Sequence, residues 1–291
     1  MRCLIDCDVL NYQCSFAGQF KDELTGEVIM KDFDYVAEDL AYKVKEITEE
    51  CMSDEPPLMF LTEDSDSVFR HKLAKTLPYK GNRDSRKPKH FYNTVAYVRS
   101  EFDCVSGYGL EADDLLAIYA TRDPTNSVIC SVDKDLRQVP TNHYTWSVGK
   151  RESKPMEWID ELGYIELDAK GKPIMGGLKA LFAQALMGDR VDNIRGVEGL
   201  GPVKAYNLLH DLSTEGECFD VVKEQYIAKY PDNWENLLRE AFDLVYIIRE
   251  LDLDGEPVLY KYPKERSASQ DQVDQRQGVE VHGQKQNTET S

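Results

Sequence analysis

Three short apolar runs, each closed by acid, constrain this chain more than any other feature. "RCLIDCDVL" reaches Asp6, "PPLMFLTED" follows two prolines and reaches Asp64, and "NSVICSVDKDL" runs from Val128 to Val132 before Asp133 and Asp135. Short apolar runs bounded by turn residues are the pattern of buried strands. Between them, "FDYVAEDLAYKVKEITEEC" spaces its apolar residues helically, and "EADDLLAIYATR" opens with acids suited to a helix amino terminus. The alternation predicts an α/β fold with a parallel sheet. Its acids would gather at the carboxyl edge, where open α/β sheets hold their ligands.

From about Gly176 the pattern changes. "GGLKALFAQALMGD" predicts a helix, "GVEGLG" a glycine hairpin, and "PVKAYNLLHDL" a second helix with Pro202 in its first turn. Stretches around 219–230 and 234–250 also read as helical. The chain of 291 residues is long enough for two domains with cores of their own. The reading is an α/β domain over 1–175 and a mostly helical domain over 176–263. A polar tail over 264–291 is too poor in bulky residues to fold. No apolar run reaches the ~18 residues of a membrane span, and the amino terminus lacks a basic region followed by an apolar core. A cytoplasmic protein with no membrane partner is expected. The seven cysteines contain no CxxC pair and the five histidines are scattered singly, which argues against zinc and against a disulfide framework.

The formal charge of −18 opposes an anionic partner, but it is unevenly spread. Residues 70–90, "RHKLAKTLPYKGNRDSRKPKH", hold eight Lys or Arg against one acid, a local +7 that leaves −25 elsewhere. This basic arm, with Arg70 and Lys87 among its cations, suits contact with phosphates. Taken singly, the acids have ordinary explanations, since carboxylates face water and Glu111, Asp113 and Asp114 suit a helix start. Together, Asp6, Asp64, Glu111, Asp113, Asp114, Asp133, Asp135, Asp189 and Asp192 all follow apolar runs or begin helices. So many carboxylates in one cleft repel one another unless divalent cations neutralise them. Ligation by oxygen alone favours Mg²⁺, with Mn²⁺ able to substitute. Two such ions about 4 Å apart suit in-line displacement at phosphorus, so phosphodiester hydrolysis is the expected chemistry.

"IDCD", "VFRHKLAKTLPYKGNRD", "GLEADD", "SVDKDL" and "MGDRVDNIRGVEGLGPVKA" occur in this order over residues 1–215. In order and character the set resembles the 5′-to-3′ exonuclease and flap endonuclease superfamily, above all its compact phage members. The resemblance implies a PIN-like parallel-sheet catalytic domain followed by a helical domain with a helix-hairpin-helix motif. Asp6, Asp64, Glu111, Asp113 and Asp114 would surround one metal ion, and Asp133, Asp135, Asp189 and Asp192 a second. The loop also offers Glu63 and Asp66 in place of Asp64. Asp6 is preferred to Asp8 because it ends the apolar run. Lys80 and Arg83 would contact the scissile phosphate, and Tyr79 would stack on a nucleobase. Gly199 and Gly201 would let duplex backbone approach the hairpin, where such motifs also bind K⁺, and Lys204 would add a phosphate contact. The expected partners are DNA with 5′ ends, flaps or nicks, and RNA–DNA hybrids, met by a monomer in the cytoplasm, the host's if phage-encoded. A ribonuclease H-type primer remover and a non-catalytic DNA-binding factor of the same fold are the alternatives.

Overall fold

The computed structural model describes residues 1–83 and 86–263, so the expected polar tail over 264–291 lies outside the described residues. Strand β1 (Arg2–Asp6) leads directly into α1 (Cys7–Ala17), with the Asp6 carboxylate accepting from Val9 N–H as its cap. A hairpin of β2 (Gln19–Lys21) and β3 (Val28–Met30) precedes α2 (Phe33–Glu50). That helix buries Val36, Leu40, Val44 and Ile47, one face at helical spacing, each worth roughly 1.5–3 kcal/mol when removed from water. β4 (Leu58–Phe60), α3 (Arg70–Leu73), α4 (Phe91–Glu101), β5 (Cys104–Val105), α5 (Ala112–Arg122) and β6 (Ser127–Cys130) follow. β7 (Asn142–Thr145) and β8 (Lys154–Trp158) complete the sheet.

The sheet order is β5-β4-β1-β6-β7-β8, parallel throughout except for β8, which runs antiparallel along β7. Its faces alternate residue by residue, as a pleated strand requires. Cys3, Ile5, Val128 and Cys130 pack under α1 and α2, whereas Leu4, Phe60 and Ile129 pack against α5 and the segment Ile247–Ile248. Burial on both faces explains why these strands read as continuous apolar runs.

A second hairpin, β9 (Tyr164–Leu167) with β10 (Pro173–Gly176), ends at α6 (Gly177–Met187). Residues 177–186 of α6 are all buried, so it forms the axis of a second core. The short pair β11 (Gly188–Asp189) and β12 (Ile194–Arg195) turns the chain toward α7 (Pro202–Leu209), which starts on a proline in its first turn. α8 (Glu215–Lys229), with its Thr214/Glu217 capping box, and α9 (Trp234–Val245) pack around α6. Among the described residues no helix is long and apolar enough to cross a membrane.

Candidate active site

The parallel sheet directs β1 and β6 toward one edge, and the acids that follow them meet there. Asp6 is buried at the end of β1, with one carboxylate oxygen accepting from Val9 N–H at 3.2 Å and the other from Ser131 Oγ at 2.6 Å. Ser131 Oγ also accepts from Asp133 N–H at 2.9 Å, which ties the β6 exit to the β1 exit. Asp133 in turn accepts from Asp135 N–H at 2.9 Å. From the helical side, α6 aims Gln184 at Asp135, and Gln184 accepts from the buried Gln138 amide. Asp189 accepts from Val191 N–H at 2.6 Å and Asp192 N–H at 3.2 Å, which folds the loop after α6 into a tight turn at the same edge.

Charge crowding shapes this edge. Burial, with Asp8 and Asp133 nearby, pushes the Asp6 carboxyl up to about 7. Burial and then Asp133 push Asp135 up to about 6. Burial followed by Asp6 and Asp133 raises Asp113 well above the usual carboxylate range. Glu111 goes the other way. Burial works against its charge, but Lys80 and Arg70 beside it hold it down to about 2.

Two ammonium groups sit among the acids. Lys80 contacts Glu111 and lies 3.9 Å from Asp192. Lys134 lies 2.5 Å from Asp135 and 3.5 Å from Asp189. Each half of the acid cluster thus draws a cation from the chain itself, and carboxylate-only donors with raised proton affinity fit hard divalent ions. The basic segment reaches the site because it is zipped to the loop after α6. Lys80 N–H donates to Asp192 O at 2.9 Å, Asn82 Nδ2 to Arg190 O at 2.7 Å and Asn193 Nδ2 to Pro78 O at 2.9 Å. Arg83 completes the seam on the Asp192 carboxylate.

Several sequence expectations are corrected by this geometry. Arg70 is not a DNA contact on an exposed arm. It is 3% exposed and grips Asp114 with two bonds of 2.7 Å, adding Glu111 at 3.0 Å and the carbonyls of Leu244 and Tyr246. Asp114, fully buried, is spent on that fork and on Ile248 N–H at 3.0 Å. Tyr79 does not offer a stacking face. Its ring is buried in the helical core, and its hydroxyl donates to Glu111 at 2.8 Å and approaches Asp192 at 3.2 Å.

Asp64 is exposed and caps a short helical turn, accepting from Asp66 N–H at 3.0 Å, while Glu63 pairs with Arg99 at 2.7 Å. The chain leaves the sheet edge directly after β4, carrying these acids outward. Asp8, in the first turn of α1, stands among the charged groups of the edge. Both its oxygens accept from Thr62 N–H at 3.2 Å, and Glu111 and Lys80 are its charged neighbours. The second acid of "IDCD" and the lysine between Asp133 and Asp135 were the available signals for Asp8 and Lys134.

At the hairpin, Gly199 has φ +84 and open space around it, and Gly201 is equally open. Lys204 Nζ donates to the Gly199 carbonyl at 2.9 Å. Gly196 is the tight position, since a Cβ there would meet Gly188 N at 2.2 Å. Lys87 donates to Tyr12 OH at 2.6 Å, with its ammonium over the Phe91 ring at 4.4 Å.

A PIN-like α/β layer whose carboxyl edge gathers acids from four junctions, completed by a helical half with a glycine hairpin, defines the class. The family model for the 5′-3′ exonuclease N-terminal resolvase-like domain matches residues 3–165, so the chain belongs to the 5′-3′ exonuclease family. It is 26% identical over 203 residues to the flap endonuclease Xni of Photorhabdus laumondii, covering 66% of this chain and 73% of that one. Over 200 residues it is 28% identical to DNA polymerase I of Bacillus subtilis, covering 65% of this chain but only 22% of that protein. Among solved structures, T5 5′-exonuclease with bound divalent zinc ions superposes with a TM-score of 0.57 at 20% identity, over 84% of this chain and 89% of that one. The T5 flap endonuclease in a pseudo-enzyme-product complex with DNA and metal ions gives 0.52 at 20% identity, over 82% and 87%.

Proposed function

We propose that this chain is a metal-dependent 5′-to-3′ exonuclease and flap endonuclease that hydrolyses phosphodiester bonds in duplex or flapped DNA and in RNA primers annealed to DNA. One observation carries the reading: Asp6, Asp8, Glu111, Asp113, Asp133, Asp135, Asp189 and Asp192 form one chain of charged neighbours interleaved with Lys80 and Lys134. Two Mg²⁺ or Mn²⁺ ions held by these carboxylates would supply an activated water and neutralise charge on the leaving oxygen. The remaining work belongs to the chain. Lys80 and Arg83, whose cations lie among these acids, would meet the scissile phosphate and offset charge developing on its oxygens. Tyr79 keeps Glu111 and Asp192 from drifting apart. Ser131, Thr62 and Gln184 fix the orientation of Asp6, Asp8 and Asp135. Open backbone at Gly199 and Gly201, with Lys204 beside it, supports contact with duplex phosphates or a K⁺ ion without sequence readout. We take the protein to act as a monomer in the cytoplasm.

End-labelled nicked, flapped and RNA-primed duplexes incubated with Mg²⁺ test the proposal. Cleavage should vanish with excess EDTA. Asp133→Asn and Asp189→Asn should abolish it while DNA binding persists, because losing negative charge does not weaken attraction to phosphate. Cleavage at the parent rate by both variants, or in EDTA, would overturn the assignment.

A further inference from the structure

Away from the acid edge, three cysteines converge that are distant in sequence. Cys3 on β1 lies opposite Val128 of β6, and Cys130 follows two residues further on the same face. Such diagonal neighbours in adjacent strands come within side-chain reach. Cys51 caps the carboxyl end of α2, with its N–H on Ile47 O at 3.1 Å, and drops its thiol onto the same spot. All three are fully buried. The Sγ atoms of Cys51 and Cys130 are 3.7 Å apart, and the three sulfurs lie within 4.8 Å of one another. The three sulfurs thus come close enough to share one ion.

We propose that Cys3, Cys51 and Cys130 form a three-thiol site for a thiophilic divalent cation. With metal–sulfur bonds of about 2.3 Å, trigonal coordination needs sulfurs about 4.0 Å apart, and the observed spread requires only small rotamer adjustment to reach it. Soft thiolate ligands select such ions over the hard cations suited to carboxylates, so the site and the acid edge do not compete. The charge balance fits an apolar surround that includes Val44, Met59 and Val128. Two thiolates and one retained thiol leave a bound divalent ion with no net charge, and binding releases two protons to solvent. Cys51 is followed by Met52, 77% exposed, so opening of the helix cap gives an ion its way in. Once bound, the ion would pin β1, β6 and α2 together behind Asp6 and the Ser131–Asp135 loop.

The test uses the full chain, reduced, stripped by chelation and kept in excess Mg²⁺ so that oxygen ligands are filled. On titration with Cd²⁺, a thiolate-to-cadmium charge-transfer band should saturate at one equivalent and the melting temperature should rise. Both responses should disappear in Cys51→Ala and Cys130→Ala and persist in Cys218→Ala, whose thiol is buried in the helical core. Thiols that merely pack as small apolar groups give neither response. Absence of the band, or a band unchanged in Cys51→Ala, overturns the proposal. Should those variants fail to fold, cadmium NMR of the unaltered protein decides: a resonance in the sulfur-ligand region upholds the site, and one in the oxygen-ligand region overturns it.

Discussion

Lys80 holds a left-handed backbone, φ +54, a conformation that side chains other than glycine adopt at some cost. Its N–H on the Asp192 carbonyl and its ammonium on Glu111 keep it there. Residues kept in such conformations concentrate at working sites, and here the strain aims one cation of the basic segment inward while Lys87 folds back on Tyr12. A cation that only anchors phosphate affects binding, whereas one aimed at the scissile group gains strength as charge builds in the transition state. Lys80→Ala should therefore bind a flapped duplex within a few-fold of the parent and lower the single-turnover rate by roughly 10²–10³. Equal single-turnover rates at saturating enzyme would remove Lys80 from the reaction. The reassigned residues make the complementary point. Arg70 and Asp114 have the composition of a surface contact and a metal ligand, and only burial reveals them as each other's counterion.

At the level of elements, "YKGNRD" and "GDRVDN" are the two sides of one seam, which explains why both segments carry so much side-chain specificity. Asn82 and Asn193 cross the seam in opposite directions, each donating to a carbonyl on the far side. Each such bond contributes about 1 kcal/mol net. Replacing both with alanine should speed amide exchange at Lys80 by roughly tenfold or more, because local opening becomes easier. Unchanged exchange would show that the seam is held elsewhere. Strands β1, β4 and β6 and their parallel direction were legible in the sequence because apolar runs end where chains turn. The seam was not, since it joins residues about a hundred positions apart. The surroundings of Asp64 were not legible for a related reason: β4 ends like β1 and β6, but the chain then enters the helical turn at Ser65–Ser67, which Asp64 caps while staying exposed. Gly196 hid among the hairpin glycines, because a sequence does not distinguish a glycine packed on Gly188 from one open to solvent.

Across the whole molecule, crowded carboxylates set a pH dependence of known sign. Asp6 and Asp135, raised to about 7 and about 6, bind protons more tightly folded than unfolded, where such groups titrate near about 4. Their contribution to stability is full below the unfolded value and is lost as pH rises through about 6 to 7. His143, buried and lowered to about 4, acts in the opposite sense, but only as pH falls below its unfolded value of about 6.5. Without divalent ions, the melting temperature should therefore fall as pH rises from about 4.5 to 7, the two carboxyls outweighing the one opposing imidazole, and saturating Mg²⁺ should flatten that fall. A metal-free protein that gains stability over the same range would contradict the crowding. The Arg70 fork has a different kind of consequence, one of timing. Its acceptors include the carbonyls of Leu244 and Tyr246, and Asp114 waits for Ile248 N–H, so the start of α5 is completed by residues made long after it. Chains emerge from the ribosome amino end first. A nascent chain stalled before residue 244 is expected to cut nothing, and cleavage by such a chain would refute this. For the nuclease proposed above, the order of translation would then act as a safety catch, keeping a half-made enzyme harmless beside the nucleic acid that encodes it.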